Sequence, residues 1–217
     1  MNIKLLVTLI ILLISFSNAI SININKIPSE SMGKKSDGGC GEKKGFTANY
    51  EIVADNINIA VSNFIAPDSY FERGTYIVDY ENQLSVWDFN STTDGVIIIG
   101  KAYGFIRNST QYYVYKVNGV EMCTKGILQT NLIENISISK KVGSTNVGSH
   151  QFDVYENFTP VYNLTQQYAV YDPNDCSLVS LHMSDSVLYS GQAILNVYDY
   201  KPYVDVSRTQ VPSLCFE

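Results

Sequence analysis

Gln111-Tyr112-Tyr113-Val114-Tyr115-Lys116-Val117-Asn118-Gly119-Val120-Glu121-Met122-Cys123-Thr124-Lys125-Gly126-Ile127 reads as two β-strands and the turn between them. Side chains alternate across a strand, so Tyr113, Tyr115 and Val117 share one face of the first strand and oppose Tyr112 and Lys116. Asn118-Gly119 supplies two residues that tolerate positive φ, which a two-residue type I′ hairpin needs at both central positions.

The same grammar extends outward. Phe46 to Val53, Gly74 to Tyr80, Gln83 to Phe89, Val96 to Gly100, Gln151 to Tyr155, Gln167 to Tyr171, Leu178 to Met183 and Ala193 to Tyr200 are short and rich in Tyr, Val and Ile. Gly, Pro, Asn or Asp bound them. In Gly74 to Tyr80, Tyr76, Val78 and Tyr80 share a face, and Asp79 takes the other. Asp94-Gly95, after Ser91-Thr92-Thr93, predicts a longer loop, and Gly143 to Gly148 is a glycine-rich stretch outside the strands read here. No window of helix length carries an i, i+3, i+4, i+7 apolar pattern with capping residues. The expected fold is all-β and mainly antiparallel, with little helix after the leader. So many strands must form two packed sheets or one curled sheet, because a flat sheet would leave an apolar face in water.

Composition narrows the function. With 45% hydrophobic residues, 17% charged residues and sixteen tyrosines in 217 residues, the chain can bury a core. Fifteen Lys and Arg against twenty-one Asp and Glu give a formal charge of −6, so the positive surface that nucleic acid requires is missing. At the N-terminus Lys4 precedes an apolar run from Leu5 to Phe16, too short to span a bilayer core of about 30 Å. Ser17-Asn18-Ala19 then supplies the small residues of a cleavage site. Residues 1–19 are read as a secretory signal peptide, 20–44 as a flexible arm and 45–217 as one β domain, exported and not membrane-spanning. Cys40, Cys123, Cys176 and Cys215 form an even set in an oxidising compartment, which predicts two disulfides in any of three pairings, and none has the close spacing of a zinc ribbon. Asn90, Asn108, Asn135, Asn157 and Asn163 each begin an Asn-x-Ser/Thr acceptor for N-glycosylation.

The sequence offers little reactive chemistry. His150 and His182 are the two histidines, and neither lies in HExxH; no serine lies in GxSxG. His182, sharing a parity with Leu178 and Ser180, reads as a solvent-side residue. Asp79, Glu81, Asp88, Asp153, Glu156 and Asp199 are numerous enough for a glycosidase pair, but only a measured separation would give such a pair meaning. Asp172-Pro173-Asn174-Asp175 offers oxygen ligands without the twelve-residue pattern of a calcium loop. Tyrosines alternating on strands either pack half-buried or line a cavity between sheets, where an apolar body and a polar tip suit an amphipathic ligand.

The order of these signals resembles the ependymin-related proteins. The resemblance is carried by the strand Gln111 to Val117 with Cys123-Thr124-Lys125, then Tyr168-Ala169-Val170-Tyr171 before Asp175-Cys176-Ser177-Leu178-Val179, then Val211-Pro212-Ser213-Leu214-Cys215. Leu178 and Val211 stand where the family usually has proline, and the family's third cysteine pair is absent. The resemblance implies disulfides joining Cys40 to Cys176 and Cys123 to Cys215. It also implies a LolA-like half-barrel or sandwich of two curved stacked sheets around a hydrophobic pocket. Functionally it implies a secreted or lysosomal glycoprotein without catalytic residues, a lipid or other amphipathic ligand, a calcium-linked conformation, association with extracellular matrix, and dimers. Tyr76, Val78, Tyr80, Tyr113, Tyr115 and Val117 are the candidate pocket residues. The competing functions are calcium-linked cell-matrix adhesion and, more remotely, a secreted hydrolase.

Overall fold

Strands rich in Tyr, Val and Ile, broken by residues at positive φ, assemble into a single antiparallel sheet. A computed structural model describes residues 44–61, 64–117, 119–128, 138–157, 164–175, 177–185 and 191–216. The strands are β1 (Gly45–Val61), β2 (Phe64–Asp79), β3 (Leu84–Thr93), β4 (Val96–Phe105), β5 (Thr110–Val117), β6 (Val120–Ile127), β7 (Ile138–Val147), β8 (His150–Asn157), β9 (Leu164–Tyr171), β10 (Leu178–Asp185) and β11 (Gln192–Lys201). Their order is β6-β5-β4-β3-β2-β1-β11-β10-β9-β8-β7, so sequence neighbours pair throughout except β6 and β7, which lie at opposite edges, and β1 and β11 join the two halves. The only helical pieces among the described residues are 3₁₀ turns at Ile106–Asn108, Val206–Arg208 and Ser213–Phe216. No helix among the described residues is long and apolar enough to cross a membrane. The leader, nearly all of the arm, Cys40, Cys176 and the acceptors Asn135 and Asn163 lie outside the described residues.

The expected layers are the two halves of this one sheet, which curls without closing: β6 and β7 remain edges. Trp87 of β3 and Leu178 of β10 line the same crevice. They lie four strand spacings apart, which a flat sheet would make about 19 Å. The curl is what brings them together.

Parity decides what each face does. On β1, Phe46, Ala48, Tyr50, Ile52 and Ala54 are all buried on the concave side. Register carries that face outward. Ala48 sits opposite Tyr76, Tyr76 opposite Trp87, and Trp87 opposite Ala102; on the other side Ile52 meets Leu195 and Leu195 meets Leu181. The convex side of β2 to β5 carries a second cluster of Ile77, Leu84, Val86, Tyr103 and Val114, covered by Val204, Val211 and Cys215 of the C-terminal segment. Cys215 is bonded to Cys123 on β6, which ties that segment across the sheet.

Two expectations change. Asp94 and Gly95, at φ of 48° and 75°, form the whole connection between β3 and β4, because Ser91-Thr92-Thr93 continues the strand as partner of both neighbours. The glycine-rich stretch from Gly143 to Gly148 is mostly β7, an exposed edge strand paired with β8, whose polar composition hides the strand pattern. Gly148, at φ of 61°, supplies its turn.

A candidate binding site on the concave face

The concave face holds one aromatic cluster with one carboxyl group inside it. Trp87 packs its ring against Tyr50 and Tyr76 with centroids 4.7 and 4.5 Å apart, and Phe46 meets Tyr76 edge-on at 5.8 Å and Tyr200 at 5.5 Å. Such off-parallel contacts are what ring quadrupoles favour. Gly74 and Gly100 flank Phe89 laterally, and a Cβ on Gly100 would come within 2.7 Å of the Phe89 ring. At Gly100 the missing side chain makes room for the ring, and at Gly74 it lets the Asp88 backbone approach.

Glu72 shares this face because it lies opposite Ile52 on β1 and Ser91 on β3, and it is 2% exposed. The Tyr50 hydroxyl donates to Glu72 Oε1 at 2.9 Å and the Trp87 indole N–H to the same oxygen at 3.0 Å. Burial raises the Glu72 carboxyl to about 7, and the hydrogen bonds from Trp87 and Tyr50 offset part of that rise. Around neutral pH the group is therefore partly a neutral acid, compatible with an apolar surrounding. Burial and the neighbouring Glu72 charge in turn raise the Tyr50 phenol well above its ordinary value.

Between the halves, Phe46, Tyr50, Tyr76, Trp87, Leu178 and Tyr200 border a narrow crevice of about 20 Å³. That volume matches little more than one water. The Tyr80 hydroxyl is buried beside this crevice with no hydrogen-bond partner among the described residues. Burial, with the phenols of Tyr76, Tyr200 and Tyr171 nearby, raises its pKa far above the ordinary value.

Of the residues anticipated for a pocket, Tyr76, Val78 and Tyr115 belong to the buried concave cluster, and Tyr80 and Tyr113 pack at its margin. The side chain of Val117 lies outside the described residues. Phe46, Tyr50, Glu72, Trp87 and Tyr200 were not anticipated. For Glu72 the signal was present: it shares the parity of Tyr76 and Val78, a charge on an apolar face.

Other anticipated chemistry is spread over the molecule. Asp79 accepts from the backbone and side-chain amides of Asn82, Asp88 pairs with Arg208 and Lys101, Asp153 with Lys141, Glu81 with Lys44, and Asp199 accepts from Asn49. His182 is exposed, opposite Tyr168 and Ile194. For the calcium implied by resemblance, the described residues show no cluster of acidic ligands. No three His, Cys, Asp or Glu side chains converge among them, and Asp172 and Asp175 hold their own turn by accepting from Asn174 and Ser177. Of the acceptors, Asn90 lies on the convex side of β3, and Asn108 ends an exposed 3₁₀ turn. Asn157 ends β8, with its side chain outside the description.

Comparison with known proteins gives a family and a loose structural likeness. The description "Ependymin domain, amoebozoa" matches residues 39–217. No curated protein is similar enough to count as a relative. Among solved structures, a LolA superfamily protein from Nitrosomonas europaea is 10% identical with a TM-score of 0.33, covering 87% of this chain and 97% of that one. A putative outer membrane lipoprotein-sorting protein domain from Vibrio parahaemolyticus is 8% identical with a TM-score of 0.31, covering 72% and 84%. MucB is 9% identical with a TM-score of 0.35, covering 81% and 60%. These superpositions are too loose to carry an argument about this chain.

Proposed function

The chain belongs to the ependymin family, and on that premise we propose that it is an exported, non-catalytic glycoprotein that carries a hydrophobic or amphipathic ligand, of lipid class, on its concave aromatic face. The observation that carries the reading is the buried Tyr80 hydroxyl, which has no hydrogen-bond partner among the described residues and lies beside an aromatic crevice. Leaving a buried hydroxyl unsatisfied costs about 1–3 kcal/mol. A ligand with an apolar tail and a polar head would recover that cost while adding apolar burial at about 25 cal/mol per Å². Below neutrality a protonated Glu72 leaves the surrounding face uncharged. Because the crevice is narrow, entry requires Tyr80 and Tyr200, partly buried at its margin, to swing outward.

Trp87 is the single tryptophan, and it borders the crevice, so the protein reports on its own occupancy. Titration with a long-chain fatty acid and with a lysophospholipid is expected to shift Trp87 emission saturably. Tyr80→Phe should weaken binding of the ligand whose head reaches that position by about tenfold, one hydrogen bond's worth. Native mass spectrometry of the secreted protein should recover bound lipid. A flat titration with lipid-free secreted protein would refute the proposal.

A further inference from the structure

We infer that the convex groove beside Asn90 is the seat of an N-linked glycan carried by Asn90 itself. This rests on the proposed export through a glycosylating pathway. Asn90, Ser91 and Thr92 form the acceptor; Ser91 is fully buried on the concave side, so Asn90 projects from the opposite, convex side. Its lateral neighbours are Arg73 on β2 and Ile99 on β4. Together with Asn49, Tyr198 and Arg208 these residues line a groove of about 330 Å³ that is open to solvent.

The lining has the chemistry of sugar recognition. Tyr198 is 44% exposed and Ile99 55% exposed, giving apolar surfaces on which the C–H face of a pyranose can lie. Arg73 enters no ion pair among the described residues, whereas Arg208 is held by Asp88. A free guanidinium beside Asn90 can donate to the acetamide carbonyl and ring hydroxyls of the first sugars. The next row of the same face is apolar as well: Ile194, Val53, Phe71 and Ile97 run side by side across β11, β1, β2 and β4, with Thr92 of the acceptor between the last two. All four are exposed, from 36% at Ile194 to 65% at Ile97. An exposed contiguous apolar strip calls for a cover. A glycan rooted at Asn90 stands at its border.

The test uses full-length protein secreted from a eukaryotic host, with Asn108 as internal control. Glycopeptide mass spectrometry is expected to find both sites occupied. Peptide N-glycosidase acting on the native fold should release the Asn108 glycan readily and the Asn90 glycan at least tenfold more slowly. Thr92→Ala, which abolishes the acceptor and leaves Asn90 in place, should lower the melting temperature of the secreted protein by several degrees. The same change in unglycosylated bacterial protein should leave it unmoved, separating loss of glycan from loss of fold. Tyr198→Ala should destabilise the glycosylated protein but add little once Thr92→Ala is present. Asn90 bare while Asn108 is occupied, equal release rates, or additive effects of the two substitutions would overturn the inference and leave export standing. A retained leader with every acceptor bare would overturn the export reading and this inference with it.

Discussion

Wild-type protein is expected to lose about 3 kcal/mol of stability as pH rises from below 4.5 to above 7, and Glu72→Gln to lose none of that share. The sign follows from the direction of the shift. Burial raises the folded-state carboxyl from 4.5 to about 7, so between these values the folded chain holds a proton that the unfolded chain has released. Stability from that proton is fully present below the unfolded value and is lost as pH climbs through the folded value. Glutamine keeps an acceptor oxygen for the Tyr50 hydroxyl and the Trp87 indole and never ionises. Urea unfolding of both proteins at pH 5 and pH 8 isolates the effect. Other titrating groups contribute equally to the two curves, and their difference should open across neutrality, with the variant the more stable at pH 8. Parallel curves would mean that Glu72 is hydrated or paired in solution, and would remove the neutral acid from the binding face.

That carboxyl also marks the limit of what alternation reveals. Parity correctly puts Tyr76 and Val78 on one side of β2, with Tyr80 just past its end packed against the same cluster, and pairing shows that Tyr113 and Tyr115 share that side through Ala102 and Gly100. It could not say which side is the interior, because both are covered in this half of the sheet. Ile77, Val86, Tyr103 and Val114 are buried on the convex side under the C-terminal segment, as fully as Tyr76 and Trp87 on the concave side. A strand buried on both faces loses the apolar-polar contrast on which the pattern depends. β7 fails for the opposite reason: an exposed edge strand with no buried described side chain has no contrast to read, and its lysines are those by which edges avoid wrongful pairing. Glu72 was legible as a charge at an apolar position, but its hydrogen-bond partners come from β1 and β3, and only register brings them together.

The covering of the convex side depends on the bond between Cys123 and Cys215, and replacing both by serine is expected to cost about 4 kcal/mol, lowering the melting temperature by about 10 °C. The two cysteines are 92 residues apart in sequence, so the bond removes the conformational freedom of a long loop from the unfolded chain. The polar attachment of the same segment should matter far less. Arg208 meets Asp88, and Lys101 reaches the same carboxylate at 3.6 Å, but these side chains are about one-third exposed and screened by water. Arg208→Ala should therefore cost less than about 1 kcal/mol. In the folded double-serine variant, Val204 and Val211 should still lie on Ile77, Val86 and Tyr103, because their burial needs no covalent help. Hydrogen exchange decides where the effect sits. If the loss acts through the unfolded chain, protection of β2 to β5 falls uniformly with global stability. If the bond instead holds the segment in place, the amides of β5 and β6 exchange first, Tyr103 becomes accessible, and the 10 °C shift is accompanied by exposure of the second cluster before the sheet unfolds.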